Sequence, residues 1–206
     1  MGAGRSEILG ALFGKQTKGV RKSVSIRGKE VAIRGPVDAI NAGMGFVTEE
    51  RKLDSIILML TILENLILPS LKELPGRLFL NRETAKRKAN EISTALNIKA
   101  PSLKTMLVNL SGGNQQKVVI GKWMMKRPKI FLIDEPTKGI DVGAKAEIYK
   151  FLGDLASQGA AIVLVSSDMP ELVNMSDRCL VINNGRISAE LVGAEITDET
   201  VMKAAM

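Results

Sequence analysis

The apolar and polar positions along this chain change their spacing from block to block, which predicts a mixture of helices and short strands. Apolar residues at helical spacing before a glycine predict a helix over residues 5–13. The β-rich runs 20–26 and 30–33 flank a turn and predict a hairpin. A proline predicts a short helix over 36–40, and the apolar run 44–48 predicts a buried strand.

The pattern becomes helical between residues 50 and about 111. Ala85, Ala89 and Ile92 form an apolar stripe at helical spacing, which predicts a helix that begins near Asn81. Prolines and a glycine interrupt the rest of this stretch. We interpret it as an inserted helical subdomain.

Strands and helices alternate after residue 113. We predict helices over 114–126 and 142–157 and after Pro170, strands over 130–133 and 161–165, and a hairpin of 178–182 with 186–189. Such alternation is typical of a parallel sheet with helices on its faces. The predicted fold class is therefore α/β, with a mostly parallel sheet and a small antiparallel β portion. We predict one domain, in which 1–49 and 112–206 form a core lobe and 50–111 the helical subdomain.

Composition narrows the classes of partner. The net charge is +7, yet the basic residues are scattered and aromatic residues make up only 3%. Nucleic-acid surfaces combine clustered basic residues with aromatic side chains that stack on bases, so we predict no nucleic acid partner. The single cysteine, Cys179, excludes an internal disulfide. It lies in an apolar run, which predicts a buried structural thiol.

No segment has the pattern of a membrane-spanning helix. The most apolar stretch, 56–68, has 13 residues and includes Glu64 and Asn65, whereas a spanning helix needs roughly 20 apolar residues. The first residues also lack the apolar core of a signal peptide. We therefore predict a cytosolic protein, or one that docks on a membrane from its cytosolic side.

Two acidic residues follow the predicted strand 130–133. Asp134 and Glu135 then stand at the carboxyl end of a buried strand, where open α/β sheets bind ligands. In a P-loop ATPase such an aspartate holds Mg²⁺, and the glutamate polarises the attacking water. The same residues also describe a strand that ends in an acidic turn, so this motif alone leaves both interpretations open.

A glycine-rich segment opens the helix before that strand. Ser111 supplies a hydroxyl, and Gly112 and Gly113 allow a phosphate to approach the backbone. The free N–H groups of a helix N-terminus also favour an anion. A serine followed by two glycines is common in turns, so the position of this segment upstream of Asp134-Glu135 carries the prediction.

These motifs together resemble those of ABC ATPases. Residues 110–116 resemble the signature motif, Asp134-Glu135 with its strand resembles Walker B, and 139–141 resembles the D-loop. The segments 47–52 and 166–171 are similar to ATPases that import ribose, xylose and galactose. The resemblance implies a P-loop NTPase fold that uses ATP and Mg²⁺. It also implies the second of two nucleotide-binding halves, without the start of its P-loop.

The first residues resemble only the end of a P-loop. The resemblance implies nucleotide contacts from Gly2, Gly4, Arg5 and Ser6, and a Mg²⁺ ion held by Ser6 and, through water, by Asp134. Arg5 stands where the family has lysine, and a planar guanidinium needs more room between phosphates than an ammonium group. The strand that feeds this loop is missing from the pattern. We expect the exposed sheet edges to favour self-association.

Two further positions depart from the family pattern. Glu49 aligns with the glutamine of the glutamine loop. Ser167 aligns with the switch histidine, and the chain contains no histidine. A serine cannot carry the charge of an imidazolium beside a developing phosphate anion. The segment 166–168 also has the pattern of a helix-capping turn.

The resemblance implies an unequal pair of ATP sites. ABC ATPases work as head-to-tail pairs, in which one half's signature motif completes the other half's ATP site. The implied contacts to ATP held by the first half come from Ser111, Gly112, Gly113 and Gln115. Glu49 and Asp141 are further residues that the resemblance implies at a nucleotide site. The chain's own site, with the catalytic positions Asp134, Glu135 and Ser167, would then turn over slowly or not at all.

The resemblance also implies the partners and the location. These are the first nucleotide-binding half, a membrane permease and, indirectly, a periplasmic sugar-binding protein, at the cytoplasmic face of a bacterial inner membrane. Two alternatives remain open: an ABC ATPase that works outside transport, and a regulatory fragment without catalysis.

Overall fold

A computed structural model describes residues 4–16, 18–73 and 82–206. Gly2, and the predicted helix start at Asn81, lie outside the described residues. The chain forms two compact units, one of Met1–Ala42 with Leu164–Met206 and the other of Gly43–Val163. The predicted division into 1–49 with 112–206 and 50–111 stays a prediction.

The predicted helices and strands that fall on the described residues appear in the predicted order, and the helix Asp198–Ala205 is an additional one that was not predicted. The helices are α1 (Arg5–Phe13), α2 (Pro36–Asn41), α3 (Ile62–Ile67), α4 (Arg82–Ala95), α5 (Gly112–Lys126), α6 (Val142–Ser157), α7 (Met169–Met175) and α8 (Asp198–Ala205). The strands are β1 (Ser25–Ile26), β2 (Lys29–Glu30), β3 (Met44–Val47), β4 (Ile130–Asp134), β5 (Ala161–Val165), β6 (Arg178–Asn183) and β7 (Arg186–Val192). None of the described helices is both long enough and apolar enough to cross a membrane.

Both predicted hairpins in the unit of Met1–Ala42 and Leu164–Met206 are confirmed. The central turn residues Arg27 and Gly28, and likewise Asn184 and Gly185, all have positive φ, as tight two-residue hairpin turns require. The first hairpin is shorter than predicted, because its ladder contains only two residue pairs. The second is longer, since β7 continues to Val192.

The carboxyl-terminal part of that unit has its own apolar cluster. Cys179 and Val181 of β6 pack with Ile196 and with Val201 of α8. The predicted burial of the Cys179 thiol is confirmed, and burial raises the pKa of that thiol. The cluster fixes α8 against the second hairpin.

The three-stranded sheet has the order β3-β4-β5, and its strands β3 and β4 lie wholly in the unit of Gly43–Val163. β3 and β4 are parallel, and Met44 pairs with Ile130. Their side chains are buried almost throughout, as parallel strands covered on both faces require. β4 is therefore the central strand, and its last residue is Asp134.

Helix α5 is the most buried helix of this unit and packs against α3 and α4. The close approach depends on Gly121, where an added Cβ would lie 2.8 Å from Leu66 Cδ2 and 2.9 Å from Ile92 Cγ2. The predicted start of this helix at residue 114 is wrong by two residues. Gly112 and Gly113 already belong to the helix, because Ser111 caps it.

Candidate nucleotide-binding site

The amino end of α5 is a capped helix start, at which Ser111 is exposed, Gly112 is half-buried and Gly113 is buried. Ser111 Oγ accepts hydrogen bonds from the Asn114 backbone N–H, at 3.4 Å, and from Asn114 Nδ2, at 3.0 Å. Gly112 and Gly113 follow as the first two helical residues, whose N–H groups have no partner within a helix. Together with the helix dipole, these donors favour a bound anion.

The two glycines also allow contact with the segment that resembles the D-loop. A Cβ added at Gly113 would lie 3.0 Å from Ala144 Cβ and 3.5 Å from Asp141 Oδ2. One added at Gly112 would lie 3.5 Å from the Gly139 carbonyl oxygen. Asp141 in turn caps α6, since its Oδ1 accepts from Ala144 N–H at 2.9 Å. The structure therefore brings the signature-like and D-loop-like residues into one surface.

Gln115 faces the interior, unlike Ser111. Only 5% of the residue is exposed, and its Nε2 donates to the carbonyl oxygens of Leu107, at 3.0 Å, and Leu110, at 3.3 Å. These bonds hold the loop before α5 in place. In the structure, Gln115 therefore positions the signature-like loop. Its predicted contact with ATP stays a prediction.

Asp134 and Glu135 stand together at the carboxyl end of β4. Asp134 is 3% exposed and Glu135 is half-buried. Glu135 has a φ of 47°, a left-handed conformation that non-glycine residues rarely adopt. Such a backbone outlier beside a candidate site is consistent with a functional requirement.

Lys138 links Glu49 to the acidic end of β4. Glu49 follows β3 and accepts a hydrogen bond from Lys138 Nζ. That hydrogen bond and the charge of Glu49 raise the pKa of Lys138, and the charges of Glu135 and Glu50 add to the effect. The structure therefore gathers Glu49 and Glu135 around one lysine, which offsets their repulsion.

The remaining predicted residues belong to the other unit. Gly4 has a φ of 85° and precedes α1, whose first residues are Arg5 and Ser6. Arg5 Nη1 donates to the Ser166 carbonyl oxygen at 3.1 Å, which places this side chain beside the segment that contains Ser167. The predicted capping turn is confirmed, because Asp168 caps α7. The switch role of Ser167 stays a prediction.

The anchors of α5 escaped the sequence analysis. Lys122 is buried and donates to the Ser55 carbonyl oxygen, and Trp123 Nε1 donates to the Phe46 carbonyl oxygen at 2.6 Å. Lys117, also buried, pairs with Glu147 of α6. The sequence signal for these anchors was that the lysines lie among apolar residues of α5. A lysine in a buried helix is shielded from water and needs a hydrogen-bond partner inside the protein.

Lys122 gives this helix a pH-dependent stability. Burial lowers its pKa from the ordinary value of 10.5 to about 8. The folded state therefore holds this proton less tightly than the unfolded state does. The free-energy cost of burying the charged ammonium group is present in full below pH 8 and disappears as the pH rises towards 10.5.

We expect the free energy of unfolding of the wild type to rise relative to Lys122→Met between pH 8 and 10.5. The pKa difference limits the gain to roughly 3 kcal/mol. Urea denaturation of both proteins at several pH values measures it. Parallel pH dependences of the two proteins would show that Lys122 is not the titrating group.

The fold is found in several solved structures. A nucleotide-free ATP-binding cassette from an ABC transporter superposes with a TM-score of 0.81 at 21% identity, covering 97% of this chain and 80% of that chain. A dimeric ATP-binding cassette in a post-hydrolysis state, bound to ADP and Pi, gives a TM-score of 0.75 at 24% identity, covering 92% of this chain and 81% of that chain. The class is therefore the ABC type of P-loop NTPase fold.

The family follows from the sequence profile for ABC transporters, which matches residues 1–138. That match covers more than half of the 206 residues, and this chain belongs to the ABC transporter family.

Two curated relatives are similar along the whole chain. The xylose import ATP-binding protein XylG of Geobacillus kaustophilus is 46% identical over 205 residues, covering 100% of this chain and 41% of that protein. The ribose import ATP-binding protein RbsA of Roseobacter denitrificans is 44% identical over 207 residues, covering 100% of this chain and 40% of that protein. The chain thus spans about two fifths of the length of these relatives.

Proposed function

We propose that this chain is an ATP-binding part of an ABC importer for monosaccharides, and that it couples ATP hydrolysis to sugar uptake through a membrane permease. The observation that carries the proposal is the capped start of α5, where Ser111 and the two glycines meet the Gly139–Asp141 segment. The relatives named above for xylose and ribose import favour this function over an ABC ATPase outside transport.

Within that importer, the chain acts as the second nucleotide-binding half. Ser111, Gly112 and Gly113 contact the phosphates of an ATP held by the first half, because the N-terminus of α5 favours their negative charge. Gln115 holds the loop that presents them. Asp141 caps the neighbouring helix and so fixes the surface of the two motifs.

The chain's own ATP site is the weaker of the two. Magnesium sites for nucleotides use one or two carboxylates together with phosphate oxygens, and the buried carboxylate of Asp134 fits that requirement. Asp134 would hold Mg²⁺, which would neutralise phosphate charge. Glu135 orients the attacking water. Arg5 donates to a backbone carbonyl, and a serine replaces the switch histidine, so we assign little turnover to this site.

The remaining partners follow from this function. The helical segment 50–111 presents the docking surface for the permease, and a periplasmic sugar-binding protein acts through that permease. The location is then the cytoplasmic face of the inner membrane.

The proposal is tested by reconstituting the complete ATP-binding subunit with its permease in proteoliposomes. We expect Mg²⁺-dependent ATP hydrolysis that a sugar-loaded binding protein stimulates severalfold, because transport and hydrolysis are coupled. Ribose, xylose and galactose are tried in turn, and the unloaded binding protein is the control. Hydrolysis that is indifferent to permease and to every sugar would contradict the import function.

A further inference from the structure

We propose that Arg51 is an additional phosphate-binding residue of the surface formed by the start of α5, where its guanidinium contacts the terminal phosphate of the bound ATP. The inference rests on the proposed function, because it takes the ligand at this surface to be a nucleoside triphosphate. It adds a cationic side chain to a surface that otherwise offers a hydroxyl and backbone N–H groups.

Local hydrogen bonds fix the backbone of Arg51. This residue opens a single π-helical turn, Arg51–Ser55, directly after Glu49 and Glu50. Its N–H donates to the Glu49 carbonyl oxygen at 3.0 Å, and its own carbonyl oxygen accepts from Ile56 N–H at 2.9 Å. These bonds fix the point from which the side chain extends.

The guanidinium lies beside the first glycine of α5. A Cβ added at Gly112 would lie 2.9 Å from Arg51 Nη2 and 3.9 Å from Arg51 Cζ. Gly112 is also the first residue of the helix, so the charged group stands at the end whose dipole attracts anions. A phosphate bound at this helix start would therefore have the guanidinium as a neighbour.

Arg51 lacks the partners that the neighbouring cations have. Its Nε is buried without a hydrogen-bond partner, although the residue as a whole is half-buried. Among the side chains that the structure describes, none forms an ion pair with Arg51. By contrast, Lys138 pairs with Glu49 and Lys117 with Glu147. A buried donor without an acceptor is unfavourable, and each such group calls for an explanation, of which an absent ligand is one.

A phosphate is the ligand that this arrangement suits. The planar guanidinium presents paired donors that match the spacing of phosphate oxygens. The N–H groups at the helix start then accommodate the remaining charge. A terminal phosphate satisfies the Arg51 donors and the helix end together, whereas ADP lacks that group.

The test compares Arg51→Gln with Lys52→Gln in the complete ATP-binding subunit. Lys52 is the exposed next residue of the same turn, so its substitution removes the same charge from the same segment. Calorimetric titration gives the affinities for Mg-ATPγS and Mg-ADP, and thermal unfolding without nucleotide gives the stability.

We expect Arg51→Gln to weaken Mg-ATPγS binding about tenfold or more, as loss of a charged hydrogen bond implies. Mg-ADP affinity should stay within about twofold, and the unfolding temperature without nucleotide should be unchanged or higher, because Arg51 has no partner to lose. Arg51→Lys keeps the charge without the fork and should give an intermediate ATPγS affinity. Lys52→Gln should change none of these quantities.

Three results would overturn the inference. They are unchanged ATPγS affinity in Arg51→Gln, an equal loss for both nucleotides, and a lower unfolding temperature that marks Arg51 as a structural support of Gly112. A wild-type subunit that neither binds ATPγS nor hydrolyses ATP overturns the proposed function itself, and this inference with it. An active wild type with an unaffected Arg51→Gln overturns the Arg51 inference alone.

Discussion

Replacing Ser111 with arginine in the complete ATP-binding subunit is expected to lower kcat for ATP hydrolysis at least about a hundredfold. The serine hydroxyl caps α5 through two hydrogen bonds to Asn114, and a helix cap contributes about 1 kcal/mol to stability. The larger effect is at the surface itself, where a long cationic side chain would occupy the space above Gly112 and Gly113. Steady-state ATPase assays at saturating Mg-ATP measure the loss.

The same assay on Glu135→Gln tests the unequal division of the two sites. Because the chain's own site contributes little turnover in this proposal, we expect a loss of less than about tenfold, below the usual effect of removing a group that stabilises the transition state. Ser157→Arg is the matched control for Ser111→Arg, since it introduces the same arginine side chain at an exposed serine that ends α6. If Glu135→Gln were as inactive as Ser111→Arg, the division of labour would be wrong.

The periodic elements of this fold were predictable because their sequence signals are local. The helix Val142–Ser157 and the strand Ala161–Val165 have the predicted bounds, since a capping aspartate begins the first and an apolar run defines the second. The shared turn pattern of both hairpins is local as well. Such signals depend on neighbours a few residues away, which a single sequence contains.

The environments of individual side chains were not predictable in the same way. Gln115 follows the glycines of the motif, yet it points inward to Leu107 and Leu110. Lys122 is buried because α5 is enclosed on several sides. Both outcomes depend on which face of α5 meets partners more distant in the sequence. The pattern of one helix does not contain that information.

The structure also gives the signature glycines a second physical reason. The sequence explains Gly112 and Gly113 by the approach of a phosphate. The packing shows that Gly113 also lies against the start of α6, where a Cβ would meet Ala144 at 3.0 Å. The two explanations are compatible, because close contact between helices is what places Asp141 beside the start of α5.

Gly14→Ala is expected to give the largest loss of stability among the glycine substitutions, about 3 kcal/mol or more in the free energy of unfolding. Gly14 ends α1 with a φ of 82°, which disfavours any residue with a Cβ. The added Cβ would also lie 2.7 Å from Gly35 C and 2.9 Å from Gly35 O. These are backbone atoms, so no side-chain rotation can relieve the clash. Urea denaturation of the purified chain measures the change.

Gly19→Ala separates the two contributions to that loss. Gly19 has a similar φ of 75°, but a Cβ there would meet nothing within 4 Å. Its substitution should therefore cost only the conformational strain, about 1 kcal/mol. The difference between the two variants then measures the contact between the end of α1 and Gly35, and this contact positions the helix that begins with Arg5 and Ser6. Equal losses would mean that the backbone at Gly35 moves away without cost and that α1 is not fixed there.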